Sequence, residues 1–271
     1  MTTGFSLKAL ALTALLAIPA TPAMAATCGT GTFESWLEDF KKEAVSKGIS
    51  QAAIASGLTG LTLDKAVLAR DQSQKVFSQS FEEFSGRMVP SRLGRGSNML
   101  KQYGSVLGRI EQTYGVPGEI LVAIWGLESD YGVNLGKFHT LRALASLAYD
   151  CRRSELFKAE LMDALRIVER GDMAPQDLRG AWAGEIGQTQ FMPSSYIKYA
   201  VDFDGNGRRD LMRSVPDVLA STANFLASKG WQRAKDWEPG SANFAVIKEW
   251  NKSEVYARTI AAFANQLAKA P

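Results

Sequence analysis

The chain has 271 residues, 46% of them apolar and 22% charged, which is enough apolar material for a substantial core and excludes a disordered or fibrous chain. At this length one large domain or two unequal ones are expected. The net charge of +3 gives no argument for nucleic acid and only a weak one for an anionic polymer or surface.

Residues 1–25 carry Lys8, an apolar run over 10–18, a break at Pro19 and Pro22, and then Ala23-Met24-Ala25. This is the pattern of a secretory signal peptide cleaved before Ala26; the run is too short to span a membrane. Ala25-Ala26-Thr27-Cys28 lacks the Leu-small-small pattern of a lipoprotein, so a soluble exported protein is expected, with no transmembrane segment in the mature chain. Cys151 is the one other cysteine, and in an oxidising compartment the pair reads as a Cys28–Cys151 disulfide, with two free thiols as the alternative. Neither has a Cys or His at ligand spacing, which argues against metal or redox chemistry.

Phe33, Trp36, Leu37, Phe40, Ala44 and Val45 share one face of a helix that ends near Gly48, and Ser50 caps a second helix through Ile54 to Gly57. Helical character continues over 64–70 and 72–87, where Val76, Phe77, Phe81 and Phe84 read as core or groove wall. Residues 88–96, with Pro90 and two glycines, read as a loop. A helix then covers 98–114 through Met99, Leu100, Tyr103, Val106, Leu107 and Ile110.

Residues 114–136, YGVPGEILVAIWGLESDYGVNLG, organise the chain. Pro117 suits a first helical turn and Glu119 complements the helix dipole. Ile120, Leu121, Ile124 and Leu127 recur at helical spacing, Ala123 and Gly126 permit close packing, and Trp125 adds bulk, so the helix is buried on most sides. Glu128 is the acid at its end. Burial disfavours the ionised carboxyl and would make Glu128 a general acid; the alternative is a paired or helix-terminal surface residue.

Further helices cover 141–149 and 156–170, the latter with Leu161, Leu165 and Val168 inward, and Cys151, Arg152 and Arg153 lie between them. His139 reads as structural. No run alternates as a strand would, and 244–247 is too short for one, so the protein reads as mainly α. Residues 180–196, GAWAGEIGQTQFMPSSY, combine glycines with side-chain amides, as suits a surface approached by a polar ligand; the alternative is an ordinary loop, with Ser194 capping the next helix. DFDGNGRRD at 202–210 starts as a calcium loop does, but position twelve is Arg213, leaving Asp217 as a distant closing carboxylate; simple Asx-turns are the alternative. Pro216 and Asp217 start a helix that Gly230 stops, and a last helix runs to about 268. Asn251 and Ser253 are helix-start residues, and Trp250 and Tyr256 read equally as packing.

With these segments laid out, the sequence resembles the membrane-bound lytic murein transglycosylase B family, which cleaves bacterial peptidoglycan. The marks are YGVPGEILVAIWGLESDYG, WAGEIGQTQFMPSSYIKYAVDFDGNGRRDL, residues 215–221 and WNKSEVYA, in the family's order. The resemblance implies a lysozyme-like catalytic core over about 97–235, an N-terminal helical lobe over about 30–96, a C-terminal helix completing the groove, and an EF-hand-like loop. It implies non-hydrolytic cleavage of the β-1,4 bond between N-acetylmuramic acid and N-acetylglucosamine to a 1,6-anhydro product. Glu128 would be the sole acid/base, with no cofactor in the chemistry. Ser129 would support Glu128 and Gln190 would bind the sugar. Arg152 and Arg153 would face the glycan or its peptide acids, Phe191 would form floor, and Asn251 and Tyr256 would close the groove. Trp250 stands where other members carry tyrosine. A structural Ca2+ would take Asp202, Asp204, Asn206, the Arg208 carbonyl and Asp217. The partner would be peptidoglycan glycan strands in the periplasm, and no protein partner is indicated. Two alternatives stay open: a non-catalytic peptidoglycan-binding scaffold, and a muramidase-type hydrolase drawing a second carboxylate from Asp130 or Glu185.

Overall fold

The computed structural model describes Met1 and residues 27–29, 31–73 and 79–270. The expected signal peptide, apart from Met1, and Val76 and Phe77 of the expected 72–87 helix lie outside the described residues. Thirteen α-helices stand among those residues: α1 Phe33–Ser46, α2 Gln51–Leu58, α3 Lys65–Gln72, α4 Phe81–Met88, α5 Pro90–Gln102, α6 Gly104–Tyr114, α7 Gly118–Ser129, α8 Thr140–Tyr149, α9 Ser154–Glu169, α10 Pro193–Tyr199, α11 Val215–Ser228, α12 Ala242–Trp250 and α13 Glu254–Lys269. Two two-residue strands, β1 Phe138–His139 and β2 Arg179–Gly180, form one antiparallel ribbon.

Ten of the twelve residues of α7 are buried, so this helix has no solvent face and can only be central. It packs between α5, α6, α11 and α13, with Ile120, Leu121 and Ile124 inaccessible to water. The α8–α9 pair forms the second centre, with α1, α2 and α3 packed on α8 or α9 and α10 packed on α9. Here Trp36 stacks on Phe33 and Phe40, and Tyr149 meets Phe33 edge-on. The Cys28–Cys151 disulfide, with Cα atoms 5.2 Å apart, ties the segment before α1 to the α8–α9 turn.

Capping follows the local sequence in most places. Ser50, Asp64 and Ser253 each accept a hydrogen bond from a first-turn N–H of the helix they open. Four expectations are corrected. Residues 90–96 are helical, because Pro90 occupies the first turn of α5, where its missing N–H costs nothing. Gly96 there lets Tyr131 and Leu267 approach to 2.6 and 2.8 Å of a would-be Cβ, a requirement of packing rather than of a loop. The 98–114 helix is interrupted at Tyr103, which leaves helical geometry between α5 and α6. Ser194 does not cap α10: Pro193 opens that helix, and Ser194 N–H and Oγ–H donate to Glu160 of α9 at 2.8 and 2.7 Å, a cap supplied by tertiary contact. Finally, Val45 is 41% exposed, since it lies past the edge of the apolar stripe of α1. The 244–247 segment, read as too short for a strand, lies in α12.

Candidate active site

Glu128 sits in the last turn of α7, and the turn that follows fixes where its carboxyl points. Asp130 and Tyr131 both adopt left-handed backbone, φ 51° and 59°, which costs roughly 1–2 kcal/mol per non-glycine residue and stops the helix. Arg92 holds this turn: its guanidinium pairs with Asp130 at 2.6 Å and donates to the Gly126 carbonyl at 3.0 Å, and the Tyr131 hydroxyl donates to the Arg92 carbonyl at 2.9 Å. Asp130 also accepts from Asn134 at 2.6 Å, so it is committed to the turn rather than to a site. Ser129 is buried, its Oγ accepting the Gly132 N–H at 2.9 Å. Gly132 and Gly136, at φ +80° and +89°, let the 130–136 turn lie against the 180–190 segment; a Cβ on Gly136 would fall 2.1 Å from the Gly180 carbonyl oxygen.

The glycine- and amide-rich segment forms the facing wall. Ile186 and Phe191 exchange backbone hydrogen bonds at 2.7 and 2.9 Å, closing a tight hairpin. Gln190, with φ 52°, donates to the Leu135 and Gly187 carbonyls and accepts the Ala181 N–H, so its amide builds the wall. Gln188 accepts from the Trp125 indole at 2.8 Å and donates to the Met212 carbonyl. The amides of Gln188 and Gln190 thus tie the segment to the scaffold, with Gln190 also lining the cavity below.

Between wall and helix end lies a cavity of about 300 Å3, lined by Glu128, Glu185, Gln190, Phe191, Trp250 and Asn251 among others. The chain's last two helices complete it. Trp250 Nε1 and the Tyr256 hydroxyl both donate to Glu128 Oε1, each at 3.0 Å. Burial pushes the Glu128 carboxyl up from 4.5 to about 7; the two donors oppose that, and the neighbouring Glu185 charge adds to it. Glu128 is partly exposed and lines the cavity. Burial and the Glu128 charge keep the Tyr256 hydroxyl well above its ordinary range, so it stays a donor. Trp250 packs edge-on against Phe191 and Phe225, with centroids 5.5 and 5.1 Å away. Glu185 accepts the Ala183 N–H at 3.0 Å, and burial raises its carboxyl too.

Of the residues singled out in the sequence, Glu128, Gln190, Phe191 and Asn251 line this cavity and Tyr256 bonds to Glu128. Asn251 ends α12, with its side-chain oxygen accepting the Ser253 N–H. Arg152 and Arg153 are not in the lining: both clasp the buried Asp71, whose carboxyl is raised by burial but lowered overall by the two guanidinium groups. Trp250 was missed as a partner of Glu128, and its place beside Asn251 and Tyr256 was the one signal available. Arg92 carried none, since its segment read as a loop.

In the acidic loop, Asp202 accepts the N–H groups of Gly205, Asn206 and Gly207, and Asp217 those of Phe203, Asp204 and Asp210. Asn206 accepts the Arg208 N–H at 2.9 Å. Oxygens of Asp202, Asp204 and Asp217 lie within 4.8 Å of one another, so Asp217 does reach back across the longer loop. Burial raises the Asp217 carboxyl and Asp204 adds to this, against the lowering effect of the N–H donors.

Known proteins share this fold. Two structures of SltB3 from Pseudomonas aeruginosa, in complex with NAG-anhNAM-pentapeptide and with NAG-NAM-pentapeptide, match with TM-scores of 0.83 and 0.84 at 31% identity, covering 88% of this chain and 80% of that one. The Escherichia coli lytic transglycosylase Slt35 in complex with calcium matches with a TM-score of 0.77 at 26% identity, over 86% of this chain and 92% of that one. Membrane-bound lytic murein transglycosylase B of Escherichia coli is 41% identical over 145 residues, which is 53% of this chain and 40% of that relative. Residues 32–241 match the model of the transglycosylase SLT domain, a span holding α7, the facing wall and the acidic loop, and the chain belongs to that family.

Proposed function

We propose that the protein is a lytic murein transglycosylase that cleaves the β-1,4 bond between N-acetylmuramic acid and N-acetylglucosamine, with Glu128 as its one acid/base. The observation that carries this is a single carboxyl at the end of a buried helix, open to a cavity, with one oxygen held by two donors and a pKa of about 7. Because Oε1 already accepts from Trp250 and Tyr256, the proton of the neutral acid belongs on Oε2. That proton passes to the glycosidic oxygen as the C1–O bond breaks. The carboxylate left behind is steadied by the same two donors until it takes the proton of the muramoyl O6 hydroxyl, whose oxygen bonds to C1. The acid is regenerated, no water enters the product, and no cofactor is needed. SltB3 is described with an anhydro-muramoyl ligand, which supports this reading.

Glu185 in the same cavity favours one second reading, a hydrolase in which it activates water. Mass analysis of sugars released from purified peptidoglycan by the protein and by Glu128→Gln separates the two. Anhydro-muramoyl products from the unsubstituted protein alone support the transglycosylase, reducing ends point to Glu185, and silence from both points to a binding scaffold. We place the reaction in the periplasm, on glycan strands; no helix among the described residues is long and apolar enough to cross a membrane.

The acidic loop fits a structural Ca2+, since oxygens 4.8 Å apart or less can share a centre at Ca–O distances of about 2.3–2.6 Å. Asp202, Asp204, Asn206, the Arg208 carbonyl and Asp217 would hold it, and Slt35 is described with calcium. A calcium titration should raise the melting temperature, and an unchanged melting temperature and metal content would count against the site.

A further inference from the structure

A second cavity, of about 450 Å3, is lined by Lys137, His139 and Arg179 of the β1–β2 ribbon region, by Arg142 of α8, and by Asp64. Its cations outnumber its one carboxylate, and that carboxylate is already occupied: Asp64 accepts the Ala66 and Val67 N–H groups and lies 3.6 Å from Arg142. Arg142 also donates to the Thr62 carbonyl at 3.1 Å. Lys137 and Arg179 are exposed and form no ion pair among the described residues. His139 accepts the Arg142 N–H through Nδ1, which leaves Nε2–H as a donor; burial, Arg179 and Arg142 all hold its imidazole below the ordinary range, as a positive potential would.

The ribbon backs directly on the wall of the Glu128 cavity. A Cβ on Gly180, the neighbour of Arg179, would fall 1.7 Å from the Glu185 carbonyl oxygen, and the Thr140 hydroxyl donates to that oxygen at 3.4 Å. The two cavities differ in charge. The residues lining the first include Glu128, Glu185 and Glu249 and no Lys, Arg or His, so it offers neutral sugars hydrogen-bonding groups and a carboxylate no cation. A peptide branch on the glycan ends in a carboxylate, which cations beside the groove would hold through charge-assisted hydrogen bonds. Arg152 and Arg153 share the one carboxylate of Asp71, and the Arg153 charge opposes, from that side, the burial that raises the Glu185 carboxyl; Lys137 and Arg179 form no ion pair among the described residues and stand on the ribbon side of the same wall.

We propose that the Lys137–His139–Arg142–Arg179 cavity is a recognition site for the terminal carboxylate of the peptide borne by the glycan, separate from the cavity around Glu128. The proposal rests on the peptidoglycan reading above. The test is calorimetric binding to the full chain carrying Glu128→Gln, with three probes: NAG-NAM-pentapeptide, the same ligand with its peptide terminus amidated, and NAG-NAM without peptide. The acid form should bind more tightly than the other two, and adding Lys137→Ala with Arg179→Ala should reduce that preference by about tenfold, the sum expected of two exposed charge contacts. The charge-keeping pair Lys137→Arg with Arg179→Lys should restore it, which a misfolded variant would not. A preference unchanged in the alanine pair, equal binding of acid and amide, or an equal fall for all three probes overturns the proposal while leaving the peptidoglycan reading intact. Binding of none of the probes defeats both.

Discussion

Replacing Glu128 by glutamine removes the ionisable group while keeping a carbonyl oxygen for Trp250 Nε1 and the Tyr256 hydroxyl. The folded carboxyl titrates near 7 and the unfolded one near 4.5. Between those values the folded state keeps a proton that the unfolded state has released, so stability is fully present below about 4.5 and is lost as pH rises through 7. The gap is worth about 3 kcal/mol at most, and glutamine loses none of it. Denaturant and thermal unfolding of both proteins from pH 4 to 8 should therefore show a difference that grows with pH in favour of Glu128→Gln. By pH 8 it should approach about 3 kcal/mol, or roughly 6–12 °C in melting temperature. Activity should vanish in the same variant, so that stability and catalysis move in opposite directions. A difference independent of pH, or a glutamine protein that weakens as pH rises, would refute the claim that Glu128 is held as a buried acid.

Trp250→Phe keeps a ring against Phe191 and Phe225 but removes a donor that lowers the Glu128 pKa, so the alkaline limb of the pH–rate profile should move upward by up to about one pH unit. Cys28→Ser opens a loop with a sequence separation of 123 and should cost about 2–4 kcal/mol in denaturant unfolding, with reductant bringing the unsubstituted protein to the same stability. Gly136→Ala forces a Cβ to 2.1 Å from the Gly180 oxygen at φ +89° and should cost roughly 1–3 kcal/mol by thermal unfolding, with activity falling as the wall moves away from Glu128.

Much of the fold is legible along the chain, because helix formation and capping depend on neighbours a few residues apart. The uncharged run that becomes α7, the aromatic face of α1, and the caps Ser50, Asp64 and Ser253 are all local features. So is the placing of a lone carboxylate at the end of a buried helix. Local signals fail where two structures share one vocabulary: Pro90 with its glycines serves a loop or a helix start equally, and the contact of Gly96 with Tyr131 and Leu267 decides for the helix.

The amides of 180–190 show a second limit. Composition identifies a segment shaped for close approach, yet whether Gln188 and Gln190 face a ligand or the protein depends on carbonyls at Met212 and Leu135 and on the Trp125 indole. Likewise Arg152 and Arg153 meet a buried Asp71 about eighty residues away, 81 and 82 in sequence, rather than lining the cavity. Sequence alone supplied the buried helix with Glu128 at its end and the helical class. Only the closed chain supplied the two donors on Glu128, 122 and 128 residues distant, since contacts at such separations come into being when the whole core forms and leave no periodic trace in the sequence.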